Sequence, residues 1–232
     1  MALSQRKQAR TARAATSRRL HILITAGPTR EHFDSVRFIS NPSSGKMGYA
    51  IAEAAVAAGH RVTLVSGPVS LRPPPRATLI RVVSAAEMAA AAKRAFVSAD
   101  AAIFTAAVCD YRPRRRAARK LAKQPKDKTV VLLPTQDIAA TLGRRKGRRV
   151  TIAFAMEDHD ARAHAEAKLR RKHCDAIVLN GPENVGSDQA RVAFLVEGGR
   201  WEQWQRAGKL RIAERLITRV ERLIAQRLPG RD

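Results

Sequence analysis

Acidic side chains are scarce in this chain: 20 Asp and Glu stand against 44 Lys and Arg, a formal net charge of +24 at pH 7. Such a balance disfavours cationic partners and favours polyanions, whether nucleotides or nucleic acid. Cysteine is equally rare. Cys109 and Cys174 are far apart and belong to no CxxC or histidine cluster. That excludes a disulfide framework and a zinc site, and it implies a reducing, cytoplasmic setting. Aromatic residues make up 4% of the chain, few for the stacking platforms of a single-strand nucleic-acid binder. No apolar run is long enough to span a bilayer, so no membrane partner is expected. There is no internal repeat.

What remains is an ordinary globular composition. Hydrophobic residues reach 45% over 232 positions, enough for one large domain with a sizeable core. The basic charge is concentrated. Residues 1–19 carry Arg6, Lys7, Arg10, Arg13, Arg18 and Arg19 with no acid and little apolar periodicity. They read as a disordered arm, dispensable for catalysis, ahead of a single domain over residues 20–228. Arg112–Lys128 holds nine basic residues against Asp127 alone. With two prolines and almost no apolar pattern, it reads as a loop or flap.

The organising stretch is Ile22 to Pro68. Ile22–Ile24 is a short β-branched run suited to a strand buried on both faces. A long loop follows. A helix then begins near Ser43-Ser44-Gly45-Lys46, with Met47, Ile51, Ala54, Ala55 and Ala58 at helical spacing and Gly59 as its stop. Arg61–Ser66 is the next strand. The result is a βαβ unit whose helix N-terminus can hold an anion.

Further strands are expected at Thr78–Val83, Ala101–Ala106, Val130–Leu133, Val150–Ala155, Asp175–Leu179 and, peripherally, Arg191–Val196. Helices alternate with them: one opened by the capping spacing of Ser84 and Glu87, Gln136–Leu142, Asp160–Lys172, and an amphipathic one over Arg211–Arg227. The expected fold is α/β, a Rossmann-like, doubly wound, mostly parallel sheet with helices on both faces and a peripheral β-lobe or flap. Ligands of such sheets bind outside the carboxyl ends of the strands, where Asp110 would sit.

Two familiar anion sites do not fit. A Walker loop requires GxxxxGK[ST]; here Ser40 replaces the first glycine and Met47 the hydroxyl. A dinucleotide fingerprint requires a tight glycine turn and a carboxylate closing the second strand. The loop from Gly27 to Ser44 is too long, and the second strand ends Val65-Ser66-Gly67-Pro68. An NAD-linked reductase is therefore disfavoured.

The strings TAGPTRE, VRFISNPSSGKMGYAIAEAA and VTLVSGPVSL closely resemble phosphopantothenate–cysteine ligase, also called phosphopantothenoylcysteine synthetase. In many bacteria that ligase is the C-terminal half of a bifunctional flavoprotein. The resemblance covers most of residues 20–200. It implies a ligase of coenzyme A biosynthesis that joins 4′-phosphopantothenate to cysteine through an acyl-nucleotidate. It implies CTP with Mg²⁺, with ATP as the alternative, and a homodimer. The flavin-binding half is not in these residues, so no flavin is expected here and a separate flavin-dependent decarboxylase is expected in the same pathway. Such a site gathers much negative charge and calls for cations, amide dipoles and positioning.

Residue by residue, the resemblance makes Asn41 the holder of the acyl-nucleotidate and Lys120 the flap lysine, both catalytic. Gly27, Ser43, Gly45 and Gly48 match positions around the nucleotide phosphates. Asp110 matches a nucleotide- or metal-side carboxylate, with Mg²⁺ otherwise carried by the triphosphate and no metal-binding side-chain cluster. Phe154 packs on the base, Lys168 and Lys172 contact the nucleotide, and Asn180 reads the base edge. Ala106 and Ala107 line the substrate site, and Arg37 reaches the neighbouring subunit's substrate phosphate. The chain departs from the family at Pro28, at Thr135-Gln136-Asp137-Ile138, at Met156 and at Cys109. The competing expectations are a basic Rossmann-like nucleic-acid-binding protein and a nucleotide-binding relative without turnover.

Overall fold

A computed structural model describes residues 18–227; residues 1–17 of the arm expected over 1–19, and the end of the chain from 228, lie outside them, while Arg18 is described and pairs with Asp100. Twelve strands and five α-helices are described: β1 (His21–Ala26), β2 (Arg30–His32), β3 (Phe38–Ser40), α1 (Lys46–Ala57), β4 (Arg61–Ser66), β5 (Thr78–Arg81), α2 (Ala85–Phe96), β6 (Ala101–Phe104), β7 (Tyr111–Pro113), β8 (Leu132–Pro134), α3 (Ile138–Gly143), β9 (Val150–Met156), α4 (Ala161–Lys172), β10 (Ala176–Asn180), β11 (Gln189–Val196), β12 (Glu202–Gly208) and α5 (Lys209–Ala225).

Eight strands form one sheet in the order β12-β11-β10-β9-β6-β1-β4-β5. The six from β5 to β10 are parallel. Numbered among themselves they run 3-2-1-4-5-6, the doubly wound order. β1 lies at the switch point, with β4 on one side and β6 on the other. A parallel central strand must be apolar on both faces, and all six residues of β1 are buried. Leu20, Ile22 and Ile24 join α1 and α5 in one layer; Leu23 and Val65 join α2, α3 and α4 in the other.

The helices follow local rules. The Ser84 side chain accepts the Glu87 N–H and starts α2. Glu87 in turn accepts the N–H of Val83, one residue ahead of the cap. α5 presents Ile212, Leu216, Val220 and Ile224 to the sheet, all buried. Each such side chain contributes roughly 1.5–3 kcal/mol when removed from water.

Three elements differ from the sequence expectations. The long loop after β1 contains the β2–β3 hairpin. β12 pairs antiparallel with β11 and closes the sheet edge. The strand expected at Val130–Leu133 is β8, which leaves the main sheet and pairs with β7 at the base of the flap. All are short or half-exposed, so their apolar alternation is weak. The rest of the 112–128 segment has no regular structure and is mostly exposed.

Candidate active site

β1, β6, β9 and β10 all end at one edge of the sheet, and the first turn of α1 faces the same space. A cavity of about 480 Å³ lies there, lined by Thr25, Thr105, Phe154 and Asn180 from the strand ends and by residues 43–48 from the entry to α1. It sits at the switch point, as the doubly wound topology dictates.

Two glycines allow α1 to come this close. Gly45 precedes the helix at φ 75°, a left-handed conformation that glycine adopts without strain. A Cβ on Gly48 would stand 2.5 Å from Ala26 Cβ and 2.6 Å from Thr105 Oγ1. Only glycine lets the helix lie against the ends of β1 and β6. The N-cap residue, Gly45, has no side chain to cap α1, the one side-chain contact to the first turn is a long one from the Lys46 amide to Ser44 Oγ at 3.5 Å, and the turn contains no acid. Its dipole and amides therefore favour an anion.

The adjoining wall is the 105–110 loop. Thr105 Oγ1 donates to the Thr25 carbonyl at 2.6 Å, and the Ala107 amide donates to Gly27 O at 2.9 Å. Asn41 Nδ2 donates to the Ala107 and Val108 carbonyls at 3.3 and 3.0 Å. Both amide hydrogens of Asn41 thus brace this loop. Cys109 behind it is buried, and burial raises its thiol pKa, disfavouring the thiolate.

The residue range with these features coincides with a known family. The DNA/pantothenate metabolism flavoprotein C-terminal domain model matches residues 17–224. The chain belongs to this family. A cysteine/cysteine sulfinic acid decarboxylase from an unknown prokaryotic organism is 40% identical over 209 residues, 88% of this chain and 58% of that protein. The coenzyme A biosynthesis bifunctional protein CoaBC of Bacillus subtilis is 40% identical over 211 residues, 89% of this chain and 52% of that protein. The crystal structure of the C-terminal domain of a CoaBC protein superposes with a TM-score of 0.79 at 38% identity, covering 91% of this chain and 98% of that one. The chain thus spans little more than half the length of these curated relatives.

The family positions mostly converge. Asn41, Ser43, Gly45, Gly48, Ala106, Ala107, Asp110, Phe154, Lys168, Lys172 and Asn180 all line the cavity. Gly27, Arg37 and Lys120 do not. Gly27, at φ 73°, stands behind the wall and holds Ala107 through its carbonyl. Arg37 donates from Nη2 to Asp34 Oδ2 at 2.6 Å and to the Leu121 carbonyl at 2.7 Å. Lys120 is exposed on the flap, one residue before Leu121.

Both cavity lysines of α4 meet carboxylates. Lys168 Nζ lies 2.5 Å from Glu157 Oε1, and Lys172 Nζ lies 3.0 Å from Asp137 Oδ2. Asp137 also caps α3 by accepting the Ala140 N–H at 2.9 Å. Burial pushes the Asp137 carboxyl upward, but the Ala140 amide and the Lys172 ammonium outweigh it and hold it below the usual range. These pairs fix the two ammoniums on one wall while leaving that end of the cavity near neutral.

Several functional candidates escaped the sequence. Asn184 is buried; its Nδ2 donates to Asn180 Oδ1 at 2.7 Å, which orients the Asn180 amide so that its NH₂ is available. Lys46 and Lys209 line the cavity as cations. Glycine-lysine at a helix start was a visible signal for Lys46. Lys209, with no local motif around it, had none. For Mg²⁺, no group of three ligating side chains exists among the described residues. Two carboxylates line the cavity, Asp110 and Asp137, and Asp137 is paired with Lys172. That suits a hydrated Mg²⁺ held chiefly by substrate phosphates.

Proposed function

We propose that this chain joins 4′-phosphopantothenate to the amine of cysteine, a step of coenzyme A biosynthesis, with CTP and Mg²⁺ and through an acyl-nucleotidate. The observation that carries this reading is the cavity itself: the acid-free start of α1, Asn41, Asp110, the α4 lysines and Phe154 all line one space. A helix start suited to phosphate and an aromatic side chain suited to a base thus border one cavity.

A carboxylate resists amine attack because it is anionic and has no good leaving group. In the proposed first step its oxygen bonds to the α-phosphorus, and the bond to the bridging oxygen breaks, with its electron pair leaving on pyrophosphate. In the second, the cysteine nitrogen bonds to the acyl carbon, the bond from that carbon to the phosphate oxygen breaks with its electron pair leaving on the nucleotide monophosphate, and the nitrogen gives up one proton to solvent. The chain's contribution is positioning and electrostatics. The first turn of α1 binds phosphate, Phe154 supports the base, and the small side chains of Ala106 and Ala107 leave room for the acyl arm. Mg²⁺, when bound with the triphosphate, neutralises charge on the phosphoryl oxygens. Lys120 would reach this charge only by movement of the flap.

The resemblance to the bifunctional family supports CTP over ATP, as do Lys168 and Lys172 at one end of the cavity. A homodimer fits the exposed apolar residues Val36, Phe38, Ile39, Tyr111, Val131 and Leu132 on the two small hairpins. The second catalytic half named in the bifunctional relatives, and any partner decarboxylase, would lie in other residues or another chain.

The test is pyrophosphate release with phosphopantothenate and each of CTP, ATP, GTP and UTP, with and without cysteine. Release with CTP, and an adduct only when cysteine is present, is the expected result. Equal or faster release with ATP overturns the nucleotide assignment. No release with any nucleotide, despite nucleotide binding, favours a relative without turnover.

A further inference from the structure

The wall beside α1 is built by two lysines and one strap of chain. Lys46 is the first residue of α1, and its Nζ donates to the Gly186 carbonyl at 2.9 Å and to Asp188 Oδ1 at 2.6 Å. Lys209 is the first residue of α5, and its Nζ donates to the Asn184 carbonyl at 3.1 Å and to the Ser187 carbonyl. Two ammoniums thus bind four oxygen acceptors within residues 184–188. Both lysines line the cavity, as do Asn184 and Gly186.

The charge on this wall is unbalanced. Lys209 is 8% exposed, a burial that lysine rarely tolerates without an ionic partner. Its hydrogen-bond partners are neutral carbonyls. The only carboxylate bonded to either ammonium among the described residues is Asp188, and its side chain is 87% exposed. Burial lowers the Lys209 pKa and the charge of Lys46 lowers it further, with the nearby Asp188 carboxylate opposing them in part. Two adjacent cations, one of them desolvated, beside a helix start without an acid, favour an anion more strongly than any one of these features alone.

We propose that Lys46 and Lys209 form a phosphate subsite that takes the terminal phosphates of the nucleotide and then the departing pyrophosphate, with the 184–188 strap as the partner they exchange. The identity of the anion rests on the ligase reading above. The subsite itself rests on the lysine geometry. As the bond from the α-phosphorus to the bridging oxygen breaks, charge accumulates on that oxygen and on the pyrophosphate behind it. A positioned ammonium there stabilises the transition state more than the ground state. Asp188 competes with phosphate for Lys46 and is the group to be displaced. The same two lysines also border a second, more open cavity of about 510 Å³ with Asp188, so the wall between the two spaces is the strap and its clamps.

The experiment is calorimetric binding of inorganic pyrophosphate, without nucleotide, to the full chain and to Lys46→Gln, Lys209→Met and Asp188→Asn. Thermal unfolding of each variant is recorded alongside. Lys46→Gln and Lys209→Met are expected to weaken binding by about tenfold or more, the loss typical of a positioned charge contact. Asp188→Asn is expected to tighten it by about threefold, the scale of one exposed competing ion pair. A gain of affinity cannot arise from misfolding, so that variant keeps the test decisive if Lys209→Met unfolds. Unchanged binding by folded Lys46→Gln, or weaker binding by Asp188→Asn, overturns the subsite. If the wild type releases pyrophosphate from CTP yet all variants bind it equally, the subsite is wrong and the ligase reading stands. If the binding pattern holds and no nucleotide is turned over, the subsite stands and the ligase reading falls.

Discussion

The Asp34 carboxylate, with no exposed side-chain surface, accepts the Leu121 N–H at 3.2 Å. It also accepts the amides of Val36 and Arg37 and the Arg37 guanidinium. Ala117 adds a bond to the Phe33 carbonyl at 2.9 Å. The basic flap is therefore pinned at two points to the turn between β2 and β3. Lys120 sits between them, next to the stronger one.

Removing Asp34 should release the flap without unfolding the sheet. In Asp34→Asn, trypsin should cut between residues 112 and 128 at least about tenfold faster, because the segment then opens locally. The main unfolding transition should move little. Equal cutting rates would show that Asp34 does not hold the flap. The pH dependence has a definite sign. The Arg37 amide, with the other donors, holds the Asp34 carboxyl well below the usual carboxylate range. Its stabilising contribution is complete above the unfolded-state value of about 3.9 and is lost as pH falls through the depressed folded value. The difference between wild type and variant should be flat above about pH 5 and shrink only in acid.

Gly48→Ala should damage both packing and binding. The new methyl would meet Ala26 Cβ and Thr105 Oγ1. Overpacking of this kind costs about 1–3 kcal/mol, and for a chain of this size each kcal/mol lowers Tm by roughly 2–4 °C. Nucleotide affinity should fall as well, since α1 must move off the strand ends. An unchanged Tm and affinity would refute this close approach.

Asn41 and Lys120 should separate the two half-reactions. Asn41→Ala removes the brace on the Ala107 and Val108 carbonyls. Lys120→Gln removes one charge among nine in the flap. A positioned ammonium should cost on the order of 10²-fold in rate; a diffuse field should lose well under tenfold, because exposed charges are screened. Both variants are expected to accumulate acyl-nucleotidate and make little cysteine adduct, as quenched mixtures read by mass spectrometry would reveal. Wild-type turnover in both would remove these residues from the mechanism.

A dimer should form through the small hairpins. Val36 is 55% exposed, so Val36→Asp in a monomer would change stability by no more than about 0.5 kcal/mol. In a dimer closed over this face it would bury a charge and shift the sedimentation coefficient to that of a monomer. A monomeric wild type with full activity would exclude the assembly.

Local periodicity alone specified the βαβ core and the turn that opens α1. Strand and helix periodicity are local, so β1, α1 and β4 were legible from residues a few positions apart. The resemblance named eleven residues that line the cavity, drawn from the turn into α1, the 105–110 loop, β9, α4 and β10; within each of these segments the spacing is local, while their convergence is not. Tertiary structure decided which charges meet. Lys46 reaches Gly186 and Asp188 across 140 and 142 positions, and Asp34 reaches Leu121 across 87. Lys168 and Lys172 are expected from the resemblance to contact the nucleotide, and the fold places a carboxylate beside each. Lys209 looked like one more basic residue of a basic chain, yet it is buried at the cavity wall. Periodicity encodes which face of an element is apolar. It carries no record of which polar group on a distant element will stand opposite, because that depends on how the layers stack.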